Sequence, residues 1–313
     1  MSAKVSPSSE PQRCPDLWFA DCGLIVRAGN VLFRVSREML GARSPVFADM
    51  LSFPQPDDAE RIEDCPVVDL PDTAREVEVF FKALFNHDFF KPHPAKTDYP
   101  TIEGVLRLSN KYEVDSLRKR ALIHLGSCFA GERHTALMES SWSPSRVHLP
   151  SIIILCREVS ALWILPTVFR TYAQLYDYRD ILRGHTSFDG RRILLGQKDQ
   201  LAVLTGALAL RTRKTSEFWD FIWYPEEIEG CASVLGCLAA RNRLRRSVEK
   251  AQRGRFPDDI VIHPDKLKTC RVCKAALQKS YQLAKKKLNQ SMPEIFGLPD
   301  WKTLNAMEAS ALE

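Results

Sequence analysis

The sequence lacks a long uncharged apolar run of the kind that crosses a membrane. A spanning helix needs about 20 consecutive apolar residues, and the longest candidates, Pro150–Cys156 and Leu201–Leu210, are much shorter. The first residues, Met1–Gln12, are polar and contain two prolines, unlike a secretory signal or an amphipathic transit helix. We therefore expect a soluble intracellular protein, in the cytoplasm or the nucleus, that does not engage a membrane.

The number of cysteines does not fit a closed disulfide framework. The chain has nine cysteines, and an odd count leaves at least one thiol unpaired. In a reducing compartment, free thiols are mostly buried and behave as small hydrophobic groups. We expect these cysteines to be reduced.

Familiar catalytic motifs are also missing. The sequence contains no glycine-rich phosphate loop, no Gly-x-Ser-x-Gly elbow and no His-Glu-x-x-His pair. Paired carboxylates such as Asp57-Asp58 and Glu226-Glu227 fall in charged loops, where solvation accounts for them. We expect a protein without enzymatic activity, without catalytic residues and without a cofactor.

What the sequence does contain is the composition of a folded protein with two parts. Its 313 residues are 45% hydrophobic and 27% charged, which is ordinary for globular chains of about two domains. The net charge of +5 is uneven, because residues 211–290 carry 18 Lys and Arg against 9 Asp and Glu. We predict a disordered N-terminus (1–13), an α+β domain (14–130), a linker (131–147) and an all-α domain (148–313).

Strand signals are concentrated in the front half. The β-rich runs Gly23–Ala28 and Val31–Val35 flank Gly29-Asn30, and both turn residues tolerate the positive φ that a two-residue hairpin requires. A further short strand is predicted at Pro66–Leu70. Together with the helices described next, these strands predict a small α+β domain.

Helix starts in the same domain are marked by capping residues. Ser36 and Ser44 each precede a short helix, and Ser44 is followed by a proline. Thr73 with Glu76 forms a capping-box pattern. Helices are also predicted over Thr101–Tyr112 and after Asp115, taken as a cap.

The rear half is predicted to be helical throughout. Apolar helices are expected at Ile152–Leu162, Val168–Tyr178 and Leu201–Ala209, the last capped by Asp199, with a loop at Gly184–Gly196. Two basic helices are expected at about 230–252 and 264–290.

Five separated segments resemble a BTB/POZ domain in order and type: Asp21–Arg37, Met39–Met50, Val67–Asp72, Phe80–Phe85 and Leu106–Leu117. The resemblance covers roughly residues 16–128 and is nearest to the BTB proteins abundant in mushroom-forming fungi. A weaker likeness to those fungal proteins lies at Leu298–Trp301.

The resemblance implies a protein-interaction domain that often self-associates and has no catalytic residues. Members of this family oligomerise transcription regulators, assemble channels, or hold substrates on a cullin scaffold for ubiquitin transfer. Asp21 and Arg37 occupy positions where dimeric members carry an acidic and a basic residue near the dimer groove. The alternative is two exposed charges that contribute little.

Two positions depart from the family pattern. Ser36 stands where the family usually has a histidine, and Leu51–Pro56 lacks the hydrophobic-x-Glu element of cullin-binding members. We therefore expect a cullin to bind weakly or not at all. The apolar residues Phe47, Met50 and Phe53 become a candidate surface for a different partner.

A zinc site is the strongest chemical alternative. Cys270 and Cys273 are separated by two residues and could form a tetrahedral site with Cys231, Cys237 or His263. However, apolar residues and cysteines follow one another at helical steps of three and four: Leu267, Cys270, Cys273, Leu277, Tyr281, Ala284 and Leu288. This stripe favours thiols buried in a core, without metal. A redox role is weaker still, because no βαβ pattern surrounds the pair.

The basic runs Arg241–Arg246 and Lys285–Lys287 could neutralise phosphates or serve nuclear import. No aromatic residues are interleaved with them, so a solvated helix face is favoured. The aromatic cluster Phe218–Tyr224 and His124, which lies on an apolar stripe, are expected in cores.

The sequence thus favours an interaction adaptor whose partners are proteins, including a second copy in a homodimer. The alternatives are a substrate adaptor for a cullin-RING ubiquitin ligase and a transcription regulator that binds nucleic acid through its basic helices.

Overall fold

The computed structural model describes residues 10–53, 60–129, 142–187, 190–224, 228–252 and 254–313. The chain divides into two units, each described here by itself. The first covers Met1–Pro144, Leu155–Ala161 and Ala311–Glu313, and the second covers Ser145–Ile154 and Leu162–Ser310. The fold is α+β, with a small N-terminal sheet followed mostly by helices.

The first unit is built on a five-stranded sheet with the strand order β1-β3-β2-β5-β4. The strands are β1 (Gln12–Trp18), β2 (Leu24–Ala28), β3 (Val31–Val35), β4 (Arg61–Ile62) and β5 (Cys65–Leu70). Strands β2 and β3 form the predicted antiparallel hairpin, whose turn places Gly29 at φ +53°. Strand β5 pairs parallel to β2, so the short third strand is confirmed.

Strand β1 corrects the last part of the predicted disordered N-terminus (1–13), of which residues 1–9 lie outside the described residues. Gln12 and Arg13 belong to this strand, which runs parallel to β3 through the pairs Gln12–Val31 and Arg13–Leu32. Only Cys14 and Leu17 are fully buried along β1. That spacing of three does not give the alternation that marks a strand in a sequence, so pairing with β3 determines its conformation.

Five helices of the first unit follow the predicted order: α1 (Arg37–Arg43), α2 (Pro45–Ser52), α3 (Ala74–Phe85), α4 (Tyr99–Lys111) and α5 (Asp115–Ser127). The capping predictions at Ser36, Ser44 and Thr73 are confirmed, since each side chain accepts a hydrogen bond from a backbone N–H of the first turn. The prediction for Asp115 is wrong. Asp115 is the first helical residue, and no side-chain cap bond is made at Val114.

Aromatic side chains fill the core of the first unit. Phe33, Phe80 and Phe81 are fully buried beneath the sheet and helices, and Phe33 meets Phe81 edge to face at 5.7 Å between ring centroids. His124 is also fully buried and lies 2.8 Å from the carbonyl oxygen of Lys91, which confirms it as a hydrogen-bonded core histidine.

Trp142 shows that the first unit extends beyond its predicted end at residue 130. Its side chain is only 5% exposed, and its Nε1 donates to the carbonyl oxygen of His124 at 2.7 Å. The predicted linker, 131–147, therefore contributes a core residue at Trp142, while 131–141 lie outside the described residues.

Helices make up most of the second unit: the first residues of α6 (Leu149–Glu158), then α7 (Leu165–Leu175), α8 (Tyr178–Arg183), α9 (Gln197–Arg211), α10 (Arg213–Phe218), α11 (Asp220–Trp223), α12 (Val234–Ala251), α13 (Arg271–Ile295) and most of α14 (Trp301–Leu312). None of the described helices has both the length and the hydropathy of a membrane-spanning segment.

Two predictions for this unit need correction. The segment Gly184–Gly196 contains an antiparallel pair, β6 (His185–Thr186) and β7 (Arg192–Ile193), so the unit is not purely helical. Pairs of two residues are too short to leave an alternating pattern. Asp199 does not cap α9, because the helix begins at Gln197 and Asp199 lies in its first turn.

The aromatic cluster at 218–224 is mostly core, as predicted. Phe218 and Trp219 are buried, and the Trp219 ring lies nearly parallel to that of Tyr281 at 6.1 Å. Tyr224, in contrast, is exposed.

Candidate functional site

The predicted pair Asp21 and Arg37 lies at the surface of the first unit. Asp21 is in the turn between β1 and β2, and Arg37 is the first residue of α1; both are exposed. The Arg37 guanidinium donates to the carbonyl oxygen of Leu51. Within the described chain, Asp21 and Arg37 form no ion pair with each other. Their place in a dimer groove stays a prediction.

The predicted partner surface at Phe47, Met50 and Phe53 is corrected at one position. Phe47 is fully buried and stacks on Tyr112 at 4.4 Å between ring centroids, so it belongs to the core. Met50 is half-buried, and Phe53, the last residue before the undescribed segment 54–59, is 67% exposed. The apolar spacing of a short helix does not reveal which of its side chains faces inward.

A groove that the sequence did not indicate lies beside the edge strand β1. Its volume is about 590 Å³, and its lining includes Phe19, Phe85 and Phe89. Phe19 and Phe89 are each 37% exposed, and Phe19 meets Phe85 edge to face at 6.0 Å. An ion pair between Asp16 and Lys82 (2.8 Å) completes this surface, which we call the β1 groove.

Four cysteines of the second unit converge where two helices begin. Cys231 follows the turn at Gly230, whose φ is +76°, and Cys237 lies in the first turn of α12. Cys270 is the N-cap of α13, and Cys273 lies in its first turn. Two segments that are distant in the chain therefore bring two thiols each.

The four sulfur atoms have the spacing of a tetrahedral metal site. All four Sγ atoms lie within 4.8 Å of one another. The Sγ of Cys231 is 3.9 Å from that of Cys270 and 3.4 Å from that of Cys273. A zinc ion bound at about 2.3 Å to four sulfurs places them roughly 3.8 Å apart. His263, the fifth residue considered as a ligand, is exposed and is not part of this group.

Backbone amides are directed at two of the sulfurs. The N–H of Cys270 donates to Cys237 Sγ at 3.2 Å, and the N–H of Cys273 donates to Cys270 Sγ at 3.5 Å. Hydrogen bonds from the N–H groups of Cys273 and Ala232 lower the pKa of the Cys270 thiol to about 6. Burial instead raises the pKa of Cys273. The arrangement stabilises negative charge on at least one sulfur.

The helical stripe predicted from the sequence is confirmed only in part: Cys273, Leu277, Tyr281 and Leu288 are buried along α13, but the first two members of the stripe lie outside the helix. Helix α13 begins at Arg271, so Leu267 lies outside it and Cys270 only caps it. Cys231 and Cys270 are half-buried and face each other across the cluster. The available signal was the concentration of four of the nine cysteines within residues 231–273.

Most basic residues of α12 lie on its solvated side, apart from the half-buried Arg241. Arg243, Arg245 and Arg246 are exposed, as predicted, and Arg245 pairs with Glu249 at 3.1 Å. Of the predicted run Lys285–Lys287 on α13, Lys286 and Lys287 are exposed and Lys285 is half-buried.

Comparison with known proteins gives no relative for this chain: no protein-family model matches it, and neither do the curated proteins or the solved structures.

Proposed function

We propose that the protein is a non-enzymatic interaction adaptor whose first unit is a BTB/POZ domain that associates with a second copy. The supporting observation is that all five segments carrying the resemblance pack in one unit. They supply the hairpin β2–β3, the paired strand β5 and parts of α1 to α5. An interaction domain of this kind acts by burying surface against a partner.

The β1 groove is the surface that we assign to the second copy. Strand β1 is at one end of the sheet order, and β3 is its only partner among the described strands. An edge strand presents unpaired backbone groups, which makes it a template for pairing with another chain. The turn that follows β1 carries both Phe19, which lines the groove, and Asp21, the predicted dimer residue. One turn therefore carries a residue of the groove and a residue of the predicted dimer site, two positions apart.

The chemistry of the groove suits a protein partner. Its aromatic side chains offer large apolar area with few rotatable bonds, which is typical of the centre of an interface. The charged pair Asp16–Lys82 beside them is partly exposed, as expected of a polar rim. Phe53, which is more exposed than Phe19 and Phe89, lies at the end of α2 and not in the groove.

Light scattering of the full chain at micromolar concentration tests the proposal. We expect a particle of twice the chain mass of 35.6 kDa. Phe19→Asp places a charge in the apolar groove and should give a monomer. Phe53→Asp is the matched control, because it introduces the same charge at an exposed phenylalanine outside the groove.

Arg37→Glu should weaken the dimer, and Arg43→Glu, a change of the same charge on the same helix, should not. A wild-type monomer throughout the concentration range would refute self-association. A dimer that persists in Phe19→Asp but dissociates in Phe53→Asp would refute the choice of surface.

A further inference from the structure

We propose that Cys231, Cys237, Cys270 and Cys273 bind one structural zinc ion as four thiolates. The inference is independent of the adaptor function, since the cluster lies in the second unit. It reverses the expectation of a metal-free protein drawn from the sequence.

The donor set selects the metal and the type of site. Four thiolates in a tetrahedron are typical of zinc or of iron bound by sulfur. A site closed by four cysteines has no position for a water molecule or a substrate, so it is structural. The pair Cys270–Cys273 has the two-residue spacing common in such sites, and Cys231–Cys237 supplies the second half from another segment.

The two helix starts favour the charge of such a centre. Four thiolates and one Zn²⁺ carry a net charge of −2. Helices α12 and α13 both begin at the cluster, and helix N-termini carry partial positive charge. The N–H groups of Cys270 and Cys273 already point at cluster sulfurs, which is how surrounding groups orient and stabilise metal ligands.

Zinc would hold the start of α12, where several apolar side chains are exposed. Cys237 and Cys270 are separated by 33 positions. Close to the cluster, Val234, Leu235 and Leu238 of α12 are exposed. A metal that binds only the folded arrangement contributes its binding free energy to folding. The ion would thus hold the start of α12 against the start of α13.

Elemental analysis of the purified full chain, prepared without added chelator, is the first measurement. We expect one zinc per chain. Replacing zinc with Co²⁺ should give the intense visible bands and the sulfur-to-cobalt charge transfer of a tetrahedral thiolate site. Neither readout depends on a variant that folds.

Substitutions then locate the ligands. Cys231→Ser and Cys270→Ser, at half-buried positions, should lower the zinc content to less than a tenth per chain. Cys22→Ser is the matched control, since Cys22 is also half-buried but lies in the first unit, and it should retain one zinc.

Counting reactive thiols distinguishes a zinc-bound cluster from free thiols and from a disulfide. With zinc bound, the four cluster thiols should be protected from a thiol reagent in the folded chain until a strong chelator is added. A metal-free protein with nine reactive thiols after unfolding would overturn the proposal. The proposal would also be overturned if two of the thiols formed a disulfide, or if the protein contained stoichiometric iron in place of zinc. Full zinc content in both single variants, Cys231→Ser and Cys270→Ser, would overturn it as well.

Discussion

Replacing Phe47 by alanine tests whether this residue belongs to the core of the first unit or to a binding surface. The Phe47 side chain is fully buried. Its ring stacks on Tyr112 at 4.4 Å with an interplanar angle of 21°, and it lies 6.3 Å from the ring of Phe81. Truncating a buried phenylalanine costs about 3–5 kcal/mol, because burial is lost and a cavity remains. The lost aromatic contacts place Phe47→Ala in the upper part of this range.

Thermal unfolding of the full chain measures this loss. For a unit of 150 to 250 residues, 1 kcal/mol shifts the Tm by roughly 2–4 °C. We therefore expect the transition of the first unit to fall by about 8 °C or more in Phe47→Ala. Phe53→Ala is the matched control. It removes the same ring from a side chain that is 67% exposed, and the Tm should change by less than about 2 °C.

The opposite pattern would refute the reasoning. If Phe47→Ala unfolded at the wild-type temperature but lost its association with a partner, Phe47 would lie on a binding surface. If Phe53→Ala were as destabilising as Phe47→Ala, the end of α2 would be packed in solution.

Two more predictions concern the extent and the titration of the first unit. A fragment of residues 10–144 should be more stable in urea than a fragment of residues 10–129 by about 2 kcal/mol. Only the longer fragment contains Trp142, which is buried and hydrogen-bonded to His124. Equal urea midpoints for the two fragments would contradict this prediction. Burial lowers the pKa of His124 in the folded chain below its ordinary 6.5. Below about pH 6.5 the unfolded chain therefore binds more protons than the folded chain, and the stability decreases as the pH is lowered. His124→Gln should flatten that dependence below about pH 6.5, and a wild-type slope in this variant would assign the effect to another group.

Residues close together in the chain were enough to predict much of the first unit. The hairpin follows from Gly29-Asn30, which supplies the turn conformation between two β-rich runs. The caps at Ser36, Ser44 and Thr73 each accept a bond from an amide three residues away, so both partners lie within one short window. The α+β class and the helical second part follow from the same local patterns.

Contacts between distant segments decided the rest. Strand β1 has no alternation of buried and exposed residues, and it is extended because it pairs with the edge of β3. The β1 groove arises because the turn after β1 meets the end of α3 and the loop that follows it.

The cysteine cluster is the clearest case. Along the sequence, Cys270 and Cys273 fit a helical stripe, and nothing local links them to Cys231 and Cys237. The tertiary structure brings the starts of α12 and α13 together and begins α13 one residue after Cys270. Periodicity reports which side chains share a face of one helix, whereas a tetrahedral site needs four sulfur atoms at one point in space, and only the packing of separate segments provides that.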